Sequence, residues 1–291
     1  MRQRINLTNV LLALALGILA ILAIFPFYQT LIVSFSTLND RGSGHIFLWP
    51  RSIDFSAYQY LFAEGLVTRG MLVSIFVTVV GTVVSMIVTT AGAYAISKKT
   101  MPGRNAILNG IIFTMFFSGG LIPYFLTLQN LHLQNNLFVM ILPVAVNAFN
   151  LILMKNFFGT VPPALEESAK LDGANDITVL IRVVVPVSLP IIATITLFYA
   201  VDRWNEWWLA MLFINDPKYY PLQLVLRNAI TNLSALLNSA TATQMAQGTS
   251  RFYGESVKAA IIMISALPIL IIYPFIQRFF NQGIMLGSVK G

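Results

Sequence analysis

Long apolar runs separated by shorter polar segments dominate the chain. A helix needs about 20 mainly apolar residues to cross a membrane. Six runs reach or approach this length, and they are residues 10–34, 72–96, 106–128, 137–154, 187–212 and 257–277. The pattern therefore predicts an all-α polytopic membrane protein, with six transmembrane helices in a single domain that comprises residues 1–291.

Local features modify two of these runs. The first is longer than the roughly 7–15 apolar residues of a signal peptide, which predicts an uncleaved first span. The third contains Ser118, Gly119 and Gly120 ahead of Pro123, a combination that breaks or kinks a membrane helix. Such a break can shape a gate or cavity, or serve as a packing notch.

Composition agrees with a membrane protein and excludes several sites. Only 10% of the residues are charged, against about 25% in soluble domains. The net charge of +7 is explained by orientation in a membrane, so no nucleic-acid partner is expected. Because the chain has no cysteine, it has no disulfide and no thiolate metal site. His45 and His132 lie far apart in predicted loops, so no metal is expected.

Basic residues predict the orientation. The short segment 97–105 contains three basic residues, whereas the segment 127–136 contains none. Because short cytoplasmic loops are enriched in Lys and Arg, both termini are predicted to be cytoplasmic. The segment 160–186 is then cytoplasmic, and the long loops at about 36–70 and 213–256 lie outside.

The segment 160–186 has the signals of two short helices. Pro163 suits a first helical turn, and Gly173 suits the position after a helix end. Asn175 or Asp176 is predicted to cap a second helix that stops before Pro186.

Within the first of these helices, Glu166 and Lys170 have the spacing of an ion pair. Two interpretations of the segment are open on these grounds, an ordinary interfacial linker or a docking element for a soluble partner.

The motif in this segment resembles the EAA loop of ABC importer permeases. That motif has Glu-Ala-Ala, three residues and Gly, followed by a hydrophobic-Pro ending. Here it is Glu167, Ser168, Ala169 and Gly173, followed by prolines at 186 and 190, with serine in place of the first alanine. It falls before the penultimate predicted span, as in the family. We refer to residues 160–186 as the EAA loop.

Other segments are similar to maltose-type sugar permeases. They are residues 49–58 and the carboxyl end, residues 266–291. The stretch 204–208, with its three tryptophans, together with residues 221–223, resembles a subgroup for complex oligosaccharides that includes pectin- and alginate-type fragments.

The resemblance implies the type I ABC importer permease fold and a place in the cell membrane of a bacterium. It implies a second, homologous permease subunit, a dimer of ATPase subunits and an extracytoplasmic solute-binding protein that delivers the sugar. The chain has no Gly-x-x-x-x-Gly-Lys-Ser/Thr motif, so no enzyme activity and no cofactor are expected, with ATP and Mg bound by the ATPase partners.

The resemblance also implies two contacts with the ATPase subunits. Lys290, in the carboxyl-terminal tail, is one expected contact. The EAA loop is the other, through Glu166, Glu167, Ser168, Ala169, Leu171, Asp172, Gly173 and Ala174.

Polar residues inside the runs are candidates for the path of the sugar. Intramembrane ionisable residues usually face a cavity or one another. Asp202, Asn205 and Glu206 have the spacing of one helix face in the outer half of the fifth run, which also carries the charge of Arg203. The other candidates are Trp204, Trp208, Asn147 and Asn150. An aromatic interfacial belt and helix–helix hydrogen bonds are the alternative roles.

Three other functions compete with a sugar permease. A permease of a non-sugar ABC importer shares the EAA loop. A secondary transporter works without ATP and commonly shows inverted repeats with paired broken spans, a pattern not found here. A membrane enzyme requires clustered catalytic side chains in facing spans, yet the first three runs contain no acidic residue or histidine.

Overall fold

The computed structural model describes residues 7–36, 49, 53–63, 65–238 and 254–271. These residues are mostly helical, and an isolated antiparallel bridge joins Ser36 to Ile53. The helices are α1 (Leu7–Ser34), α2 (Ser56–Ala63), α3 (Leu66–Ser97), α4 (Arg104–Phe116), α5 (Leu121–Asn130), α6 (Ala148–Phe158), α7 (Pro163–Leu171), α8 (Asp176–Val187), α9 (Leu189–Trp204), α10 (Trp208–Phe213), α11 (Leu222–Asn238) and α12 (Gly254–Ile271).

Three helices are long and apolar enough to cross a membrane, namely α1, α3 and α12. Two bent pairs also pass this test, since α4 and α5 meet at 118° and α8 and α9 meet at 89°. Within the described residues the number of candidate spans is therefore three, or up to five if each bent pair counts as one. The last predicted span, 257–277, is represented by α12, and its end lies outside the described residues.

The third predicted span is not one continuous helix. The helix α4 ends at Phe116 and α5 begins at Leu121. Between them Gly120 has φ 85° and ψ 171°, a conformation that is essentially restricted to glycine. The break that the glycine pair and Pro123 predicted is confirmed, and the run 106–128 is divided between α4 and α5.

The fourth and fifth predicted spans are also interrupted. The run 137–154 begins with a 3-10 turn, Leu137–Met140, and α6 begins only at Ala148, after Pro143 and the helix cap Asn147. The run 187–212 is divided into α9 and α10. The Glu206 carboxylate accepts the backbone N–H of Leu209 at 2.8 Å and so supports the start of α10.

The second helix of the EAA loop does not stop before Pro186 as predicted. It contains a π-helical turn, Leu180–Val184, passes Pro186 and ends at Val187. A wider turn relieves the clash of the proline ring with the preceding turn, where an α-helix would be broken.

The chain divides into two compact units. The first comprises residues 1–67 and 226–268. In it the Tyr58 hydroxyl donates to Ser34 Oγ at 2.9 Å, and the Phe35 ring stacks on the Tyr58 ring at 5.1 Å between centroids. The Ser256 hydroxyl donates to the Ser36 carbonyl at 3.2 Å. These contacts fix the end of α1, whose leading apolar residues are exposed all round.

The second unit comprises residues 68–225 and 269–291 and contains two apolar clusters. One surrounds Phe213 and includes Val77 of α3 and Leu224 of α11. The other surrounds Tyr199 and includes Ala93 of α3, Val184 and Ile195. The helix α3 thus contributes to both clusters.

Candidate functional site

The turn after α7 has the geometry that Gly173 predicts. Pro163 occupies the start of the helix, and Gly173 follows its end with φ 86°. The Ala174 N–H donates to the Ala169 carbonyl and the Gly173 N–H to the Lys170 carbonyl, both at 3.0 Å. This pair of bonds is a Schellman motif, which requires a left-handed residue at the position of Gly173.

The start of α8 is also as predicted, but one ion pair is not. The Asn175 side chain accepts the Thr178 N–H at 2.8 Å and caps the helix. The predicted pair of Glu166 with Lys170 is wrong. Lys170 instead contacts Asp176 at 2.7 Å across the turn, because the turn brings the start of α8 back to the end of α7.

This exposed pair shifts the titration of both groups. A hydrogen bond from Lys170 lowers the pKa of the Asp176 carboxyl below its ordinary value. The same bond raises the pKa of the Lys170 ammonium group. Both groups are therefore charged over the whole neutral range.

The two adjacent glutamates of α7 point in different directions. Glu166 is half-buried and forms an ion pair with Lys98, which follows the end of α3. The Lys98 ammonium nitrogen lies 4.1 Å from the centroid of the Tyr94 ring. Glu167 is exposed, because neighbouring residues on a helix point about 100° apart. Lys98 was missed by the sequence analysis because the two partners are distant in sequence.

The remaining residues of the α7 turn divide between a packed face and an exposed face. Ala169 and Ala174 pack against the apolar cluster around Tyr199. Ser168 and Asp172 are exposed, and Leu171 is 89% exposed. Lys290, the predicted contact in the tail, lies outside the described residues.

A polar cleft of about 340 Å³ lies beside the broken helices. It brings together three of the predicted path residues with two that were not predicted, Tyr199 and Arg203. The residues that line it are Pro143, Val144, Val146, Asn147, Tyr199, Asp202, Arg203 and Glu206.

Arg203 is held in the wall of the cleft although it is only 4% exposed. Its guanidinium group donates to the backbone carbonyl of Val144, which the interruption before α6 leaves free. Its side chain lies against α3 at Gly81, where an added Cβ would meet the Arg203 Cδ at 3.0 Å. The intramembrane charge was visible in the sequence, but the small residue on α3 that makes room for it was not recognised.

Tyr199, one turn before Arg203 on α9, contacts Asn147 in the lining of the cleft. The Tyr199 hydroxyl lies 2.7 Å from Thr89 Oγ1 and accepts the backbone N–H of Asn147 at 3.0 Å. The Asn147 side chain in turn accepts the Asn150 N–H at 3.1 Å and caps α6. Asn147 therefore combines a structural role with a position on the cleft.

Four predicted path residues lie away from this cleft. Asn150 and Trp204 are buried, and Trp208 is exposed. The expectation that Asn205 shares a face with Asp202 and Glu206 is wrong. The helix α9 ends at Trp204, so Asn205 turns away and its amide donates to the Val201 carbonyl at 3.0 Å.

Comparison with known proteins identifies the family. The family model described as binding-protein-dependent transport system inner membrane component matches residues 103–286. The chain is 42% identical over 272 residues to the polygalacturonan/rhamnogalacturonan transport system permease protein YtcP of Bacillus subtilis (strain 168), a match that covers 94% of each protein. It is 43% identical over 279 residues to protein LplC of the same organism, covering 96% of this chain and 93% of that protein.

The fold also matches a solved structure. A chain in the crystal structure of a bacterial ABC transporter involved in the import of the acidic polysaccharide alginate has a TM-score of 0.83 and 37% identity. The match covers 94% of this chain and 96% of that one. The protein is therefore a multi-pass membrane permease rather than an enzyme, and it belongs to the family of binding-protein-dependent transport system inner membrane components.

Proposed function

We propose that this chain is one permease subunit of an ATP-driven importer of oligosaccharides and forms half of the translocation pathway beside a second, homologous permease. The observation that carries the proposal is the presence, in one unit of the chain, of an exposed docking turn and a polar cleft in broken membrane helices. The relatives named for polygalacturonan/rhamnogalacturonan and alginate support a carbohydrate as the cargo. Six spans with cytoplasmic termini are part of this proposal.

The exposed face of α7 docks in a surface cleft of an ATPase subunit. Glu167 offers a charge and Leu171 an apolar anchor, and the Schellman motif at Gly173 holds the turn in one conformation. A rigid turn loses little conformational entropy on docking. ATP and Mg are bound by the ATPase subunits, so this chain needs no cofactor. Closure of the ATPase dimer moves α7 and switches the access of the pathway.

The sugar passes through the cleft. Hydroxyl-rich ligands need both donors and acceptors near an apolar surface. The Asp202 and Glu206 carboxylates accept and Arg203 donates, while the buried Tyr199 holds the wall of the cleft through its hydroxyl. The volume of about 340 Å³ is near the lower limit of roughly 300–1,000 Å³ for ligand pockets, so a short part of an oligosaccharide occupies it at a time. A solute-binding protein delivers the sugar to the outer loops.

Purification tests the assembly directly. The tagged chain is isolated from its native host and its partners are identified. We expect a second permease, an ATPase and a tethered solute-binding protein, and ATP-dependent uptake of oligosaccharide after reconstitution in vesicles. Recovery of the chain as a homo-oligomer with ATP-independent flux would instead establish a secondary transporter. Uptake of amino acids or peptides in place of sugar would establish a different importer.

Glu167→Lys tests the docking face. The substitution reverses the exposed charge of α7, so we expect weaker retention of the ATPase on the purified permeases. Glu167→Gln preserves hydrogen bonding and is expected to retain the ATPase better. Equal retention by wild type and both variants would contradict a contact through this residue.

A further inference from the structure

Among the described residues, a single side-chain ion pair joins α7 to the end of α3. It links Glu166 to Lys98, whose side chains are 16% and 28% exposed. Partial burial reduces the screening that weakens fully exposed pairs. The ring of Tyr94, one turn back along α3, lies beneath the ammonium group and limits its freedom. The contact is thus placed to transmit force between two helices.

The helix at the other side of this pair is continuous. α3 has 32 residues from Leu66 to Ser97, with no break. Along it, Gly81 lies about 25 Å from Lys98, at 1.5 Å per residue. At Gly81 the helix contacts the Arg203 side chain, and a Cβ there would come within 3.0 Å of it. A rigid displacement of α3 at its Lys98 end would therefore also displace the contact between Gly81 and Arg203 in the wall of the cleft.

The covalent route from α7 to the cleft is less direct. It passes through α8, with its π-helical turn, and then bends by 89° into α9. A bend and a widened turn absorb displacement that an unbroken helix passes on. The Ser188 that separates the two helices is buried, so this route is fixed in place but not straight.

We propose that the ion pair of Lys98 with Glu166 is the joint through which α7 moves α3 and, by way of Gly81 and Arg203, the polar cleft. The inference rests on the proposed function, since it requires α7 to be the element that the ATPase moves. Lys98 and Glu166 are positioning residues in this scheme. Glu167, beside them, serves the ATPase, and Glu166 serves the transmembrane part.

Charge reversal tests the joint in the complete importer reconstituted in vesicles, with ATP hydrolysis and uptake of oligosaccharide measured together. Lys98→Glu and Glu166→Lys are each expected to lower the uptake per ATP hydrolysed about fivefold. A change of this size is typical of single substitutions that weaken the coupling between two sites. The ATPase should be retained in both variants, unlike in Glu167→Lys. Combining the two reversals rebuilds the pair and is expected to restore the ratio.

Lys99→Glu is the matched control. Lys99 is exposed and next to Lys98, so the substitution makes the same charge change at the same helix end without breaking the pair. Its uptake per ATP should equal that of wild type. An unchanged ratio in Lys98→Glu, or no recovery in the double variant, would overturn the proposal.

A milder variant covers the case in which Lys98→Glu is not recovered as a complex. Lys98→Gln removes the charge without reversing it, and a wild-type ratio for this variant would equally overturn the joint. Failure of the wild-type importer to take up sugar with ATP is a different result, because it contradicts the proposed function rather than the joint.

Discussion

At the scale of single residues, two adjacent glutamates of α7 have different environments. Glu166 and Glu167 differ only by a helical step, yet one meets Lys98 and the other is exposed. The resemblance to the EAA motif predicts that Glu167 is the glutamate of that motif. Only the position of α3 beside α7 shows that Glu166 faces inward, and this position depends on contacts between residues 68 apart in sequence.

Gly173 is where backbone conformation matters most in the turn. Its φ of 86° is unfavourable for any residue with a Cβ, although nothing lies within 4 Å of an added Cβ. We expect Gly173→Ala to destabilise the turn by about 1–2 kcal/mol through backbone strain alone. The unfolding temperature of the purified assembly and the retention of the ATPase should both decrease.

Gly110→Ala is the control for this change. Gly110 lies inside α4 with no atom within 4 Å of an added Cβ and without a positive φ. Alanine there should be neutral or stabilising by up to about 1 kcal/mol. If the two variants unfolded alike, the strain argument would be wrong.

The Lys170–Asp176 pair gives a pH dependence with a definite sign. Because the pKa of Asp176 is lowered in the folded state, its contribution is present above the ordinary value of 3.8 and is lost as the pH falls through the lowered pKa. The raised pKa of Lys170 places the corresponding loss on the basic side, above 10.5.

Asp176→Asn tests this sign. The difference in unfolding temperature between wild type and the variant should be constant from about pH 5 to 9 and should shrink below about pH 4. A difference that grows as the pH falls would contradict it. Asn175 caps α8 in both proteins, so the comparison is not affected by loss of the helix cap.

At the scale of elements, the breaks before α6 and after α9 lie at the cleft, whereas the break between α4 and α5 contributes no residue to its lining. The junction of α4 and α5 depends on Gly120, whose φ of 85° and ψ of 171° suit glycine. We expect Gly120→Ala to destabilise this junction by about 1–3 kcal/mol and to reduce uptake by the reconstituted importer. The adjacent Gly119→Ala is the control, because the nearest atom to its Cβ would be the Pro123 Cβ at 3.9 Å. Equal uptake by the two variants would contradict a special role for Gly120.

The sequence predicted features that depend on a few adjacent residues better than helix interruptions that have no such local signal. The ends of α7, its glycine cap and the break at Gly120 were predicted, because each depends on a few adjacent residues. The interruptions at Pro143 and after Trp204 were not, since apolar composition alone does not distinguish a continuous span from a broken one. The candidate cleft was recovered in part, through Asn147, Asp202 and Glu206. Tyr199 was missed because a tyrosine in an apolar run gives no separate signal.

At the scale of the whole molecule, much apolar surface is left uncovered by the chain itself. The leading part of α1 is exposed on all sides, and the second unit contains both the cleft and α7. In the proposed importer, lipid and the second permease cover the apolar surface. A pathway made of two halves lets each half keep its own cleft and its own contact with the ATPase.

The interruption between α4 and α5 has a consequence for the stability of the chain outside its assembly. Residues 117–120 lie outside the regular helical ladder, and hydrocarbon offers no hydrogen bonds to backbone groups freed in this way. Protein or water around this segment supplies the missing hydrogen bonds. We therefore expect a copy that has lost these neighbours to unfold at a lower temperature than an assembled copy.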